Sequence, residues 1–171
     1  REAGISKGLL FHYFRNKLEL YRYLYDHSVE TLMGELERRK DIHETDFFEI
    51  LMGSQRLKCQ LMKEYPSMYD FLIKVYLEED EEARQIILES SKGLVQENEE
   101  HFMERIDTSK FREGVDIPLL FQSLKWCSEG FMREALMVGT PVDEIDAKFH
   151  EVLIMYKQNF YRESHREEVF R

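Results

Sequence analysis

Apolar residues recur at spacings of three and four along almost the whole chain, and hardly any stretch alternates with period two. Only eight Gly and three Pro interrupt 171 residues. The pattern predicts an all-α fold. A short helix is expected over about 6–14, with Ser6 as N-cap, broken at Arg15 and Asn16. Asn16 caps the next, with Glu19 three residues on as in a capping box, and Leu18, Tyr21, Leu24, Tyr25, Leu32 and Leu36 at helical spacing. It ends near Arg38, Arg39 and Lys40, whose cations suit the negative end of the helix dipole. A third helix runs from Thr45 or Asp46 to Tyr65, where Pro66 disfavours continuation, and a shorter one from Ser67 to Tyr76. The acidic run Glu78 to Glu82 opens a helix reaching about Ile106. Asp116, Ile117 and Pro118 begin another, stopped after Val138 by Gly139, Thr140 and Pro141, and the last begins at Asp143 and passes Phe160.

The final two long helices are apolar on more than one face. Over 143–162, Ile145, Phe149, Val152, Tyr156 and Phe160 form one stripe, while Ile154, Met155 and Tyr161 lie off it. A helix apolar over so wide an arc needs cover on two sides. Either it is the central helix of a monomer or it packs on its own core and on a second subunit. With few helices to surround it, the dimer is preferred, as a two-fold bundle of four helices.

A chain of 20.7 kDa with 43% hydrophobic residues sustains one domain with a real core, with room for a small second module. Apolar runs such as Val152 to Tyr156 fall far short of the roughly 18 residues a membrane span requires. No charged leader precedes an apolar stretch, and Cys59 and Cys127 make neither a CxxC pair nor a disulfide pattern, which fits a reducing cytoplasm. The net charge is −10, which argues against indiscriminate coating of nucleic acid. Its distribution is uneven. Residues 1–25 hold Arg1, Lys7, Arg15, Lys17 and Arg22 against Glu2 and Glu19, giving +3 and leaving −13 for the rest. On charge alone this is what chance produces in a small window.

Chemistry concentrates in the same segment: Ala3, Gly4, Ile5, Ser6, Lys7, Gly8, Leu9, Leu10, Phe11, His12, Tyr13, Phe14, Arg15, Asn16, Lys17. Gly4 allows a tight turn and Ser6 caps a helix of barely two turns, which carries Lys7, Phe11, His12 and Tyr13. A short helix rich in polar-tipped rings is poor core material but suits a DNA groove, its N-terminal residues meeting base edges and flanking cations meeting phosphates. Lys17, at the start of the next helix, can hold a phosphate together with that helix's free N–H groups.

The run from Ala3 to Leu24 resembles the turn, recognition helix and first part of the fourth helix of TetR (AcrR) family bacterial transcriptional regulators. Ala3, Gly4, Ile5, Ser6, Lys7, Gly8, Leu10, Tyr13, Phe14, Lys17 and Glu19 match the family's wording. The resemblance covers about 22 residues directly. It implies a homodimer with a three-helix DNA-binding head and a larger domain that binds a small molecule and forms the dimer. Residues 1–25 would then be the C-terminal part of the helix-turn-helix head, and 26–171 the ligand-binding and dimerisation domain. Lys7 and Gly8 would approach the DNA, Phe11 and His12 face the major groove, and Tyr13 and Lys17 meet phosphates. Three departures stand out. Leu9 occupies a position usually held by a small hydroxyl residue, and Phe11 replaces the usual Tyr, removing two polar contacts. The family's first helix and most of its second should precede Arg1, so the natural protein is expected to have residues ahead of it.

For the effector site, Phe48, Met52, Gln55, Cys59 and Met62 give one soft apolar face, and Leu119, Ser123, Trp126, Gly130, Arg133 and Met137 another. Met52, Gln55, Cys59, Met62, Ser123, Trp126 and Gly130 are the candidate ligand residues, with Trp126 beside Gly130 foremost, because a large ring next to a missing side chain leaves space. The expected effector is apolar or aromatic. Each of these positions also reads as plain core.

Two other classes compete. An enzyme would show a nucleophile elbow, a phosphate loop, a dinucleotide fingerprint or HExxH; His150 and Glu151 come nearest to the last, but Ile154 stands where a second histidine is needed. His43, His101 and His165 are scattered, and Glu97, Glu100, His101 and Glu104 read as a solvated helix face. No catalytic residue, metal ligand or cofactor is expected. The second alternative is a helical protein-interaction module without DNA binding, against which the basic motif argues. The reading that remains is a ligand-responsive transcriptional regulator, a repressor by the family's habit, that binds double-stranded operator DNA as a homodimer through its last two helices.

Overall fold

The computed structural model describes residue 4 and residues 6–166, leaving aside the side chains of Lys7, Phe11 and 92–99. These residues form seven α-helices: α1 (Lys7–Tyr13), α2 (Lys17–Arg39), α3 (Phe47–Glu64), α4 (Pro66–Tyr76), α5 (Glu81–Arg105), α6 (Ile117–Val138) and α7 (Val142–Phe160), with 3-10 turns at Thr108–Lys110 and Glu163–His165. The fold is all-α; there is no strand among the described residues, only an isolated antiparallel bridge between Phe111 and Tyr161.

Most boundaries follow from caps. The Asp46 carboxylate accepts from the N–H of Phe48 and Glu49 at 3.0 and 3.1 Å, Asp80 from Ala83 at 2.9 Å, and Asp116 from Leu119 at 2.9 Å, each satisfying donors that a helix start leaves open. Gly139 closes α6 with φ +71°, a conformation other residues adopt only at a cost. Two starts differ from the expectation. Pro66 opens α4 as well as ending α3, because its fixed φ and missing N–H suit a first helical position. The acidic run is divided between loop and helix: Glu78 accepts from the N–H of Glu79 and Asp80, both at 3.1 Å, and α5 begins only at Glu81.

α3 and α7 run antiparallel, pinned by Lys157 Nζ to Glu49 at 2.7 Å at one end and by Lys63 to Asp143 at the other. Between these pins Met52, Phe149 and Leu153 join one core with Phe47, Phe48, Ile106, Phe111, Leu120 and Leu124. The buried stripe of α7 is Ile145, Phe149, Leu153 and Lys157. It advances by four residues at each step, so Leu153, fully buried, takes the place the sequence pattern assigns to Val152, which is half-buried. Lys157 lies in the stripe because its stem packs inward while its ammonium reaches Glu49.

Rings close one end of the core. Tyr161 is fully buried, with its centroid 4.8 Å from Phe111 and 5.0 Å from Phe48, both edge-on. Its hydroxyl donates to Asp46 Oδ1 at 3.0 Å, while Lys110 Nζ donates to Oδ2 at 2.8 Å. Burial alone would raise the Asp46 pKa, but the Lys110 hydrogen bond, the Glu49 N–H and the nearby ammonium groups outweigh it and hold the carboxyl below its ordinary range. Desolvation and the adjacent carboxylate drive Tyr161 strongly upward.

α2 packs on α3, α4 and α5 and crosses residues 25 and 26 without a break. Its last turn is tied to α3 by Arg39, whose guanidinium meets both oxygens of Glu64 at 2.8 and 2.7 Å.

Candidate functional site

Local sequence builds the N-terminal segment. Gly4 has φ +65°, and the Ser6 hydroxyl accepts from the Leu9 N–H at 3.1 Å, so a turn leads straight into α1. After seven residues α1 ends at Phe14, in extended conformation. Asn16 then starts α2 by accepting from the Glu19 N–H at 2.8 Å, while the Glu19 carboxylate accepts from the Arg15 N–H at 2.6 Å. That reach goes one residue beyond the usual capping box and ties down the connection between the helices.

Among the described residues, what holds α1 to the rest is slight. Leu10 is half-buried, and Phe14 sets its ring 5.3 Å from Tyr23 of α2. The other described positions face outward: Gly8, Leu9 and His12 are exposed, and Tyr13 is 73% exposed with its ring edge-on to His12 at 5.6 Å. Lys17 is exposed at the first position of α2. Among the expected DNA contacts, Gly8, His12, Tyr13 and Lys17 are thus all exposed, on α1 and the first turn of α2. The backbone of Lys7 and Phe11 lies in α1, and their side chains fall outside the described residues.

The expected ligand residues lie on α3 and α6, in different surroundings. Met52, Gln55 and Cys59 are buried on the strip of α3 that packs against α7; Gln55 Nε2 lies 3.4 Å from the Cys59 sulfur, and burial, with Asp146 and Asp143 nearby, pushes that thiol up to about 11. Met62 is half-buried further round α3. On α6, Trp126 is 59% exposed and Gly130 is exposed with open space where a Cβ would sit. They lie on the opposite side of the helix from buried Leu120, Leu124 and Ala135. Ser123 is half-buried beside that outer face and donates to the Leu119 carbonyl at 2.6 Å. The sequence pattern offered the Leu119, Trp126 and Met137 face of α6 as a pocket wall; the residues α6 buries are Leu120, Leu124 and Ala135.

The same outer face carries Leu119 and Met137, with Val138 beside it, and Met155 of α7 is also exposed. No group of three or more His, Cys, Asp or Glu able to hold a metal occurs among the described residues; the Glu97 side chain lies outside them. No helix among the described residues is long and apolar enough to cross a membrane.

Sequence reasoning missed two groups that bear on the N-terminal segment. Tyr21 of α2 donates to Glu78 at 3.3 Å and stands edge-on to Phe71 of α4 at 5.6 Å, and burial with the Glu78 charge pushes its phenol up to about 12. This contact joins the helix that follows α1 to the α4–α5 connection. A tyrosine on an apolar stripe and a glutamate in an acidic run gave no sign of meeting.

Compared with known proteins, residues 1–24 match the model for bacterial regulatory proteins, tetR family. No curated protein matches the chain.

Proposed function

We propose, from the premise that residues 1–24 carry part of the DNA-binding head of the tetR family of transcriptional regulators, that this chain is a cytoplasmic, ligand-responsive repressor acting on operator DNA as a homodimer. The single observation that carries the reading is the exposure of His12 and Tyr13 on a seven-residue helix which, among the described side chains, is held by little more than Leu10 and Phe14. Rings left in water at a basic end of an acidic protein suit a polyanion with apolar base edges. Lys7, Gly8, Phe11 and His12 then approach the groove, and Tyr13 and Lys17 the flanking phosphates.

The outer face of α6, with Leu119, Trp126 and Met137, supports self-association, together with Met155 of α7. This assigns Trp126 and Gly130 to the subunit contact instead of the effector pocket. Pairing α6 and α7 with their symmetry mates makes a four-helix bundle and fixes the separation of two heads, which must fit half-sites about 34–36 Å apart, or a multiple of it, on B-DNA. An effector lowers DNA affinity only by its differential binding to the two head separations. α2 is the lever, since one unbroken helix carries the head and packs on α3, α4 and α5.

Selection from random duplexes with the full-length protein tests the reading: a recovered palindrome with one or two turns between half-sites is expected. No enrichment, or a double variant Lys7→Ala, Tyr13→Ala that retards the selected duplex as well as the parent does, leaves the helical interaction module as the better account.

A further inference from the structure

α2 packs on α3, α4 and α5, and α6 on α7 and the aromatic core. The short connection between α4 and α5 meets both helices. At its start Tyr76, the last residue of α4, donates its hydroxyl to the Glu129 carbonyl of α6 at 3.1 Å, beside Gly130 and within a turn of Trp126. Just beyond it, Glu78 Oε2 accepts from the Tyr21 hydroxyl of α2 at 3.3 Å, and the Tyr21 ring stands edge-on to Phe71 of α4 at 5.6 Å. One short segment, residues 76–78, thus grips both α2 and α6.

A connection passes on a displacement only if it is itself stiff, and the hydrogen bonds of this one make it so. The N–H of Leu77 donates to the Ile73 carbonyl at 3.0 Å and that of Glu78 to the Val75 carbonyl at 3.2 Å, while the N–H groups of Glu79 and Asp80 both meet Glu78 Oε1 at 3.1 Å. Every backbone donor from 77 to 80 is bound. Asp80 then caps α5 by accepting from the Ala83 N–H at 2.9 Å. The Glu78 carboxylate is the hub, one oxygen closing the turn and the other receiving Tyr21. Burial with the Glu78 charge pushes the Tyr21 phenol up to about 12, so near neutral pH the hydroxyl keeps the proton it donates. A shift of α6 at Glu129 is therefore handed through Tyr76 to Glu78 and Tyr21 instead of being absorbed in a slack loop.

We propose that residues 76–78 form a coupler, in which the Tyr76–Glu129 and Tyr21–Glu78 hydrogen bonds tie the position of α6 to that of the first turns of α2, the helix that follows α1. The coupling is a property of the fold and stands whether or not the chain binds DNA. Its regulatory meaning rests on the regulator reading. With α6 in the subunit contact and α1 on DNA, self-association and duplex affinity depend on each other through this segment, and an effector that displaces it acts on both.

Amide hydrogen exchange on the full-length protein, read residue by residue, tests the coupler. Tyr76→Phe removes a bond to α6 yet should speed exchange of the Tyr21 to Leu24 amides of α2 about threefold, and Tyr21→Phe, which keeps its ring on Phe71, should do the same at Gly130 and Phe131 of α6. In Glu78→Gln one side of the hub loses its acceptor whichever way the amide turns, and both helices should respond. The Phe149 and Leu153 amides of α7 are the reference and should keep the parent's rates. Changes confined to the helix that loses its own bond, or an equal rise in α7, overturn the coupler. Duplex selection on the same preparations separates the two readings. Where a palindrome is enriched, Tyr76→Phe should weaken its binding several-fold, and undiminished binding alongside propagated exchange overturns the regulatory role. Enrichment with confined exchange defeats the coupler and leaves the regulator; propagated exchange without enrichment establishes the coupler and removes the regulator.

Discussion

The two ends of this molecule are built on opposite terms. Around Asp46 and Tyr161, segments far apart in the chain meet in a sealed cluster of rings, with one carboxylate receiving a phenol, an ammonium and two backbone N–H groups. At α1, each hydrogen bond among the described residues that shapes the helix comes from a residue within four positions, and the rings of His12 and Tyr13 face water. The first arrangement maximises stability and the second leaves surface available, so substitutions at the two ends should separate stability from binding.

The largest effect is expected at Leu153, fully buried between α3 and the aromatic end. Leu153→Ala should cost about 2–5 kcal/mol of unfolding free energy, from lost transfer energy and the cavity left behind. Urea denaturation measures it. The same change at half-buried Leu10 should cost far less, and comparable losses at both positions would break the contrast between the two ends.

Next comes Asp46→Ala, at about 1–3 kcal/mol, because it removes the α3 cap and strands the Tyr161 hydroxyl and the Lys110 ammonium. The pH dependence has a definite sign. The folded pKa of Asp46 lies below its unfolded value, so the folded state binds fewer protons. Its contribution is present in full above the unfolded carboxylate pKa, about 4, and is lost as pH falls through the lower folded value. Asp46→Asn should therefore flatten the acid limb of the stability curve. An acid limb that keeps its slope in the variant would show that other carboxylates dominate it.

These contrasts also mark where sequence and structure part. The turn at Gly4, the caps Ser6, Asn16, Asp46 and Asp116, and the stop at Gly139 are legible because each acts over three or four residues. The Asp46–Tyr161–Lys110 cluster is not, since nothing in a helical pattern brings positions 46, 110 and 161 together. The same limit governs the candidate sites. Tyr13 declares itself through a local motif, whereas Met52 and Lys58 both lie on α3 and only packing tells that the first is buried and the second exposed. Trp126 shows it most directly: beside Gly130 in the pattern it suggests room for a ligand, yet α6 turns that side outward because Leu120, Leu124 and Ala135 are the residues it buries.

A smaller effect is expected at Ser6. Its hydroxyl caps a helix of two turns, and Ser6→Ala removes about 1 kcal/mol from that helix alone. Since the described side chains of α1 add little to the core, the urea midpoint should barely move, while exchange of the Leu9 and Leu10 amides should speed about fivefold. Exchange unchanged from the parent would mean that tertiary contacts, not the cap, hold α1 in place.

The smallest effect on stability should belong to Tyr13, and here the comparison is sharpest. Its ring is 73% exposed and touches His12, its own neighbour in the chain. Tyr13→Ala removes little buried surface, so its unfolding free energy should stay within about 0.5 kcal/mol of the parent. If the exposed ring meets a phosphate, affinity for the selected duplex should fall about tenfold, and Tyr13→Phe, which keeps the ring and loses the hydroxyl, should fall nearly as far. Large loss of stability in Tyr13→Ala would place the ring in the fold after all. Unchanged stability with unchanged DNA affinity would mean that the ring is exposed for another partner, and only unchanged stability with weakened binding fits a helix held out for DNA.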